Sequence, residues 1–333
     1  MNIGMVYDLR TEYLKAGYSE EEVAELDSES TIDALDGAIR SLGHRTDRIG
    51  RGRELCRRLA SGERWDLVFN IAEGLRGRSR EAQVPALLEM YGVPYTFSDP
   101  LVCAVTLDKA CTKRILQWAG LRTPGFHLVS STADIGQVAL AYPLFAKPVA
   151  EGTGKGVDAR SRADTPRALA ELCERLLEEF KQPVLVEKYL PGREFTTALL
   201  GTGPDARVLG TMEVLMRAGS PSKDYGFEIK EKCEQFVDYP AMERGPLRDE
   251  AEALALATYR VLECRDAGRV DLRLDTHGRP SIMEINPLPG LHPSHSDLPM
   301  IATREGMGYR ELIGAIVESA ATRRCPGDGR ISE

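Results

Sequence analysis

The order of apolar and polar residues divides the chain into three stretches. In the first, Met1 to about Pro100, Asn2–Tyr7 is a short apolar run suited to a buried strand. Ser30–Ser41 places Ile32, Leu35 and Ile39 near helical spacing, and Gly43 ends it. Asp66–Asn70 reads as a second apolar strand, the loop Glu73–Gly77 follows, and Pro85–Met90 reads as a helix that Gly92-Val93-Pro94-Tyr95 ends. Alternation of this kind predicts an α/β unit on a parallel sheet. No G-x-G-x-x-G follows the first strand, which argues against a nicotinamide dehydrogenase.

The second stretch, Leu101 to Val186, holds a helix over Lys109–Trp118 and a strand over Pro143–Pro148. The loop Glu151-Gly152-Thr153-Gly154-Lys155-Gly156 comes next. Its glycines allow successive backbone N–H groups to face phosphate oxygens, and a plain flexible turn fits the same residues equally well. It is not a Walker A loop, because Gly156 stands where Ser or Thr should hold magnesium.

The last stretch carries the most specific pattern. Arg269–Asp275 alternates polar and apolar residues, and after Thr276–Arg279 the alternation resumes from Ile282 to Asn286. With Thr276–Arg279 as a four-residue loop, Asp271 lies opposite Glu284 and Arg269 opposite Asn286, all on one face. Two carboxylates facing each other across a ladder repel unless a cation lies between them. Magnesium suits the place, since it takes one or two carboxylates and completes its shell with phosphates and water. An exposed polar face neutralised by Arg269 and Arg273 accounts for the pattern without a metal. Upstream, Pro183–Leu190 is an apolar strand with a charged end, followed by Pro191-Gly192-Arg193-Glu194. Such an end either presents backbone groups and a carboxylate to a ribose or base edge or is a solvated turn. The rigid turn Pro287-Leu288-Pro289-Gly290 would set the Gly290 N–H beside the metal site, where developing negative charge needs a donor.

Totals narrow the class. A chain of 333 residues exceeds what one core usually organises, and 42% hydrophobic with 28% charged residues is an ordinary globular balance. No apolar run approaches the ~18–20 residues of a membrane span, and Met1–Asp8 lacks the basic stretch of a secretory leader. A cytoplasmic protein without membrane attachment is expected. The net charge of −8, with no basic block, argues against nucleic-acid binding. The cysteines, Cys56, Cys103, Cys111, Cys173, Cys233, Cys264 and Cys325, include no C-x-x-C pair and are expected as reduced thiols. His292 and His295 are too few for a metal site, which leaves substrate contact or loop packing. Residues 323–333 are short, polar and glycine-rich, as frayed tails are.

Several spaced segments together resemble the ATP-grasp superfamily and, within it, the D-alanine–D-alanine ligases. They are Val93-Pro94-Tyr95, Leu107-Asp108-Lys109, Glu187 through Thr196, Gly268 through Asp271, Met283 through Gly290, and Gly306 through Ile313. The resemblance runs from about Asp66 to Ala320. It implies a three-domain ATP-grasp fold, α/β at the N-terminus and α+β in the ATP-binding part. Residues 1–100 would be a substrate domain with a parallel sheet, 101–186 a central subdomain with the phosphate-covering loop, and 187–322 a C-terminal subdomain with the metal site. ATP would lie between the last two.

The resemblance also implies roles. Asp271, Glu284 and Asn286 would hold two Mg2+ ions, with Mn2+ as a substitute. Lys109, Lys147 and Lys230 would face the ATP phosphates under a loop containing Gly152 and Gly154. Lys188 and Leu190 would line the adenine slot beside Glu187, and Glu194 would take the ribose. Arg269 and the Gly290 N–H would stabilise the tetrahedral intermediate, and residues 217–237, with Tyr225 and Phe227, would form a lid. The activity implied is ATP-dependent joining of two small amino acids, D-alanine by default, for cell-wall synthesis by a homodimer. The same chemistry on another amino acid, or a nucleotide-binding protein without catalysis, are the alternatives.

The substrate end departs from the family's pattern. An acidic segment over residues 8–29 replaces the glycine-rich opening; it is either a solvated helix face or the source of the acid that binds the substrate amine, with Glu22 or Glu25 as the candidate. The usual His-Gly and Glu-Asp-Gly elements appear as Asn70-Ile71-Ala72-Glu73-Gly74 and Arg80-Glu81. Thr153 replaces the loop serine that orients the first substrate, and Glu231 replaces the tyrosine after the lid lysine. Ser294 and Ser296 both fit the serine at the substrate carboxylate.

Overall fold

Three sheets with their helices make up the described part of this computed structural model, which covers residues 1–220, 226, 229 and 232–323. Tyr225, Phe227, Lys230 and Glu231, and the tail beyond residue 323, lie outside it. The first sheet is parallel, with β1 (Asn2–Val6) between β2 (Arg45–Gly50) and β3 (Leu67–Asn70). Parallel neighbours need crossovers, and the helices Glu29–Ser41 and Gly52–Ala60 supply them. The first starts at Ser28, whose Oγ accepts from the Thr31 amide at 3.2 Å, and it buries Ile32, Leu35 and Ile39 as their spacing predicts. β2 carries no apolar run because it is an edge strand in which only Ile49 is buried. Its Arg48 instead donates to Asp36 on the crossover helix at 2.6 Å. Since β2 and β3 lie on opposite sides of β1, the segments leaving β1 and β3 part at their C-terminal ends. Open α/β sheets bind ligands at such crevices.

The second sheet is antiparallel, with β4 (Phe126–Val129), β5 (Leu144–Pro148), β6 (Arg162–Ala163) and β7 (Val184–Lys188) in the order β4-β7-β5-β6. β7 runs unbroken through residues 186 and 187. The helix Pro166–Phe180 covers one face with Leu169, Leu172, Cys173 and Leu176. The third sheet has β8 (Glu194–Leu200), β9 (Arg207–Met216), β10 (Val237–Asp238), β11 (Ala267–Leu274) and β12 (Pro280–Asn286), ordered β10-β9-β8-β11-β12.

The cores join what the sequence separates. The helix Pro246–Val261 buries Ala251, Leu254 and Tyr259 against Val270, Leu272 and Ile282, and Val102 and Leu116 from the second stretch enter the same core. The helix Tyr309–Thr322 lays Leu312, Ile313 and Ile316 in one core with Ile32, Leu35 and Ile39. Each such side chain taken from water contributes ~1.5–3 kcal/mol, which fastens the C-terminal helix to the first sheet.

At the carboxylates the β11–β12 pairing is the expected one, Arg269 opposite Asn286 and Asp271 opposite Glu284. It arises by another route. The loop is Thr276–Gly278 rather than Thr276–Arg279: the Asp275 amide donates to the Arg279 carbonyl at 2.9 Å, and Gly278 takes φ +74°. Pairing is therefore displaced by one residue, with Leu272 opposite Ile282, until a bulge containing Met283 restores it. No helix among the described residues is long and apolar enough to cross a membrane. Cys56, Cys103, Cys111, Cys173, Cys233 and Cys264 are free thiols, and Cys325 lies outside the described residues.

Candidate active site

The second and third sheets face each other across a cleft of about 100 Å3, and a second cavity of about 390 Å3 opens toward the first sheet. Lys109, Glu151, Arg269, Glu284 and Asp297 line both, so the two spaces share a wall. Lys147, Gly154, Glu187, Lys188, Leu190, Glu194 and Asp271 line the cleft, and Gly152, Thr153, Glu25, Asn286, Gly290 and Ser296 line the second cavity. Glu22 and Ser294 line neither. Glu22 is exposed and accepts from the Ser19 amide at 2.8 Å, and the Ser294 amide donates to His292 Nδ1 at 3.3 Å.

In the cleft, β5 turns Ala146 into the core and Lys147 toward the opening, by the two-residue period of a strand. Lys147 Nζ lies 3.3 Å from Glu187 Oε2, and Lys113 Nζ 2.6 Å from Glu187 Oε1. Burial disfavours the charged Glu187 carboxylate, but the two lysines overcome it and hold the group below its ordinary range. Burial wins at Lys113, whose pKa falls, while Glu187 and Glu284 win at Lys147, whose pKa rises. Lys113 was not anticipated. The available signal was its position four residues after Lys109, on the same side of a helix. Lys188 donates to the carbonyls of Ala141 and Tyr142 at 2.8 and 3.0 Å, which ties the end of β7 to the segment before β5.

The shared wall is set by the hairpin. Asp271 accepts from Thr196 Oγ1 at 2.7 Å, Arg269 Nη2 lies 3.0 Å from Asp271 Oδ2, and Arg269 Nη1 lies 2.6 Å from Asp297 Oδ2. Burial works against the Arg269 charge, but Asp271, Asp297 and Glu284 hold it protonated. Lys109 Nζ donates to the Glu151 carbonyl at 2.6 Å and stands 3.5 Å from Glu284 Oε2. Arg273 turns away from these carboxylates, donating to the Gly192 carbonyl at 3.2 Å and lying 3.8 Å from Glu194. Asp297 had no signal in the sequence, because nothing local reports that it faces Arg269. Two carboxylates and an amide oxygen form a hard-oxygen set suited to magnesium. Magnesium takes one or two such protein oxygens and completes its shell with phosphates and water; among the described residues no three Asp, Glu, His or Cys side chains could hold an ion by themselves.

On the far wall, Glu25 accepts from Arg80 at 2.7 Å and from the Gly152 amide, and Lys155 lies 3.4 Å away. Burial opposes its charge, but Arg80 and Lys155 hold Glu25 below the usual carboxylate range. A Cβ on Gly152 would stand 2.6 Å from Glu25 Oε1, so the close approach requires glycine. Asp27, Glu73 and Glu81 line the same cavity. Burial, reinforced by Asp8, pushes Asp27 up to about 7. Burial also pushes Glu81 to about 7, with Arg80 opposing and Glu25 adding to the rise, and burial with Glu81 nearby takes Glu73 well above its range. Ser296 Oγ accepts from the His292 amide at 2.9 Å. The His292 and His295 rings are 4.6 Å apart and His295 reaches Glu234 at 3.1 Å, a loop-packing arrangement.

The chain is similar to known proteins in sequence and in fold. A sequence model described as the D-ala D-ala ligase C-terminus matches residues 113–318. The chain is 35% identical over 275 residues to the D-alanine–D-alanine ligase of Bordetella petrii, covering 81% of this chain and 80% of that protein. It is also 35% identical over 268 residues to the uncharacterized protein y4sG of Sinorhizobium fredii, covering 79% and 76%. The structure of a D-alanine–D-alanine ligase from Bacillus anthracis complexed with ATP superposes with a TM-score of 0.73 at 22% identity, over 96% of this chain and 97% of that one, a likeness of fold. Identity at this level over most of the sequence decides the kinship: the chain belongs to the D-alanine–D-alanine ligase family of ATP-grasp proteins.

Proposed function

We propose that the chain is an ATP-dependent carboxylate–amine ligase that forms a dipeptide through an acyl phosphate. The observation that carries the reading is the wall of Lys109, Arg269 and Glu284 common to both cavities. A phosphoryl donor in the cleft and a carboxylate in the second cavity would meet there. ATP would lie with its adenine along Lys188 and Leu190 beside Glu187, its ribose at Glu194, and its phosphates under Gly152 and Gly154.

The donor carboxylate attacks the γ-phosphorus and ADP leaves. The amine of the second amino acid then attacks the acyl carbon, expels phosphate and loses a proton. Lys109 and Lys147 stabilise the phosphate charge, and Lys230, outside the described residues, is assigned the same task. Arg269 and the Gly290 N–H hold the oxyanion, Thr153 orients the donor, Glu25 faces its ammonium and Ser296 its partner's carboxylate. Asp271, Glu284 and Asn286 would hold Mg2+, or Mn2+ in its place, which would draw charge from the phosphate oxygens. In this reading residues 1–100 hold the amino acids, 101–186 carry the phosphate-covering loop, 187–322 carry the metal ligands, and the active unit is a homodimer.

The first reading takes D-alanine as both substrates and D-alanyl-D-alanine as product, and kinship with D-alanine–D-alanine ligases supports it. A second reading keeps the chemistry and changes the amino acid. It is favoured by Glu73 and Glu81, which line the cavity from segments that depart from the family's His-Gly and Glu-Asp-Gly elements. The test is phosphate release from ATP with a panel of amino acids, followed by the mass of the product. Release that depends on D-alanine supports the first reading, and release only with other amino acids supports the second. ATP binding with no release for any amino acid overturns the ligase reading.

A further inference from the structure

We infer that the second cavity takes a substrate with a cationic group beyond the amino-acid zwitterion, a diamino acid in preference to alanine. This rests on the ligase reading and names the substrate class of the same site. Asp27, Glu73 and Glu81 line the cavity and, among the described residues, have no hydrogen-bond or ion-pair partner for their carboxyls. They stand on the segments that leave β1 and β3 at their C-terminal ends, the ligand crevice of an open α/β sheet.

The other acids around the cavity are matched. Glu25 has Arg80 and Lys155, Glu151 has Lys155, Glu284 has Lys109 and Asp297 has Arg269. Arg10 pairs with Glu20 at 2.7 Å. Half-buried carboxyls without an ion pair at a cavity wall are costly to ionise, and burial raises all three, with Arg80 opposing at Glu73 and Arg80 and Lys109 opposing at Glu81. A metal ion does not resolve it, since among the described residues no three such side chains converge on one point. An organic cation does, because its several N–H donors reach separate carboxyls. Alanine supplies too little charge. The ammonium of the activated amino acid faces Glu25, the attacking amine must be neutral, and Asp27, Glu73 and Glu81 gain no counter-charge from either substrate.

The test gives the full chain, with ATP and Mg2+, both enantiomers of ornithine and lysine and of their uncharged counterparts norvaline and norleucine. Each is supplied alone and together with D-alanine. ADP formation yields kcat/KM, and calorimetry reads binding separately. The expected result is a kcat/KM for a diamino acid above those of its uncharged counterpart and D-alanine by about tenfold or more, as for one buried charge-assisted contact. Glu73→Gln and Glu81→Gln should each shrink that ratio. Equal or lower values for the diamino acids overturn this inference and leave the ligase reading in place. If no compound yields ADP but lysine binds and Glu73→Gln weakens it, the ligase reading falls and the cationic site stands. No ADP and no binding overturns both.

Discussion

Glu187 is the residue whose loss should cost the fold most for the smallest change in shape. Its carboxylate is buried between Lys113, which is 1% exposed, at 2.6 Å and Lys147 at 3.3 Å. Glu187→Gln keeps the volume and removes the charge, leaving Lys113 and Lys147 without their shared counter-charge. Removing one partner of a buried pair costs ~3–5 kcal/mol, because the remaining charge is left uncompensated. Urea unfolding at pH 7 should show a loss of that size. Adding Lys113→Met should recover part of it, since the stranded ammonium is then gone. The sign with pH follows from the depressed pKa of Glu187. Its contribution is present above the unfolded-state value of ~4.3 and disappears as pH falls through the lower folded value. The difference between wild type and Glu187→Gln should therefore be full at pH 7 and shrink below about pH 4. A variant within about 1 kcal/mol of wild type at pH 7, or a double variant less stable than Glu187→Gln, would refute the reasoning.

Two further outcomes are expected. Asp271→Asn or Glu284→Gln should abolish ATP-dependent turnover while far-UV circular dichroism stays that of wild type; full activity in either would remove the metal assignment. Gly156→Ala should lower the thermal midpoint by several degrees, because Gly156 takes φ +72° and a Cβ would stand 2.7 Å from Pro148 Cγ.

Local pattern carried the hairpin, the helix over residues 29–41 and the helix Lys109–Trp118, because a strand or helix period is complete within a few residues and does not depend on the rest of the chain. It failed at β2, where an edge strand leaves its polar side chains in water and so shows no apolar run. The facing of Asp271 and Glu284 was legible for a partly mistaken reason, since a shorter loop and a bulge at Met283 offset one another. The family was legible from long ordered segments, and with it the residues expected to hold nucleotide and metal.

What stayed hidden was every pairing between distant segments. Arg80 meets Glu25, Lys113 meets Glu187 and Arg269 meets Asp297 only after the chain has folded back on itself. The same holds for the acids of the first domain. In the sequence Glu22 and Glu25 were equal candidates in one acidic segment, and folding left Glu22 in solvent and set Glu25 against the glycine loop. Asp27 read as one more acid of that segment, and Glu73 and Glu81 as departures from the family's first-domain elements. By itself the sequence determined the elements and the family, because periodicity and motif are properties of neighbouring residues. Which carboxyls are balanced and which await a charge was decided by tertiary structure alone, because burial and counter-charge depend on what the rest of the chain brings beside them.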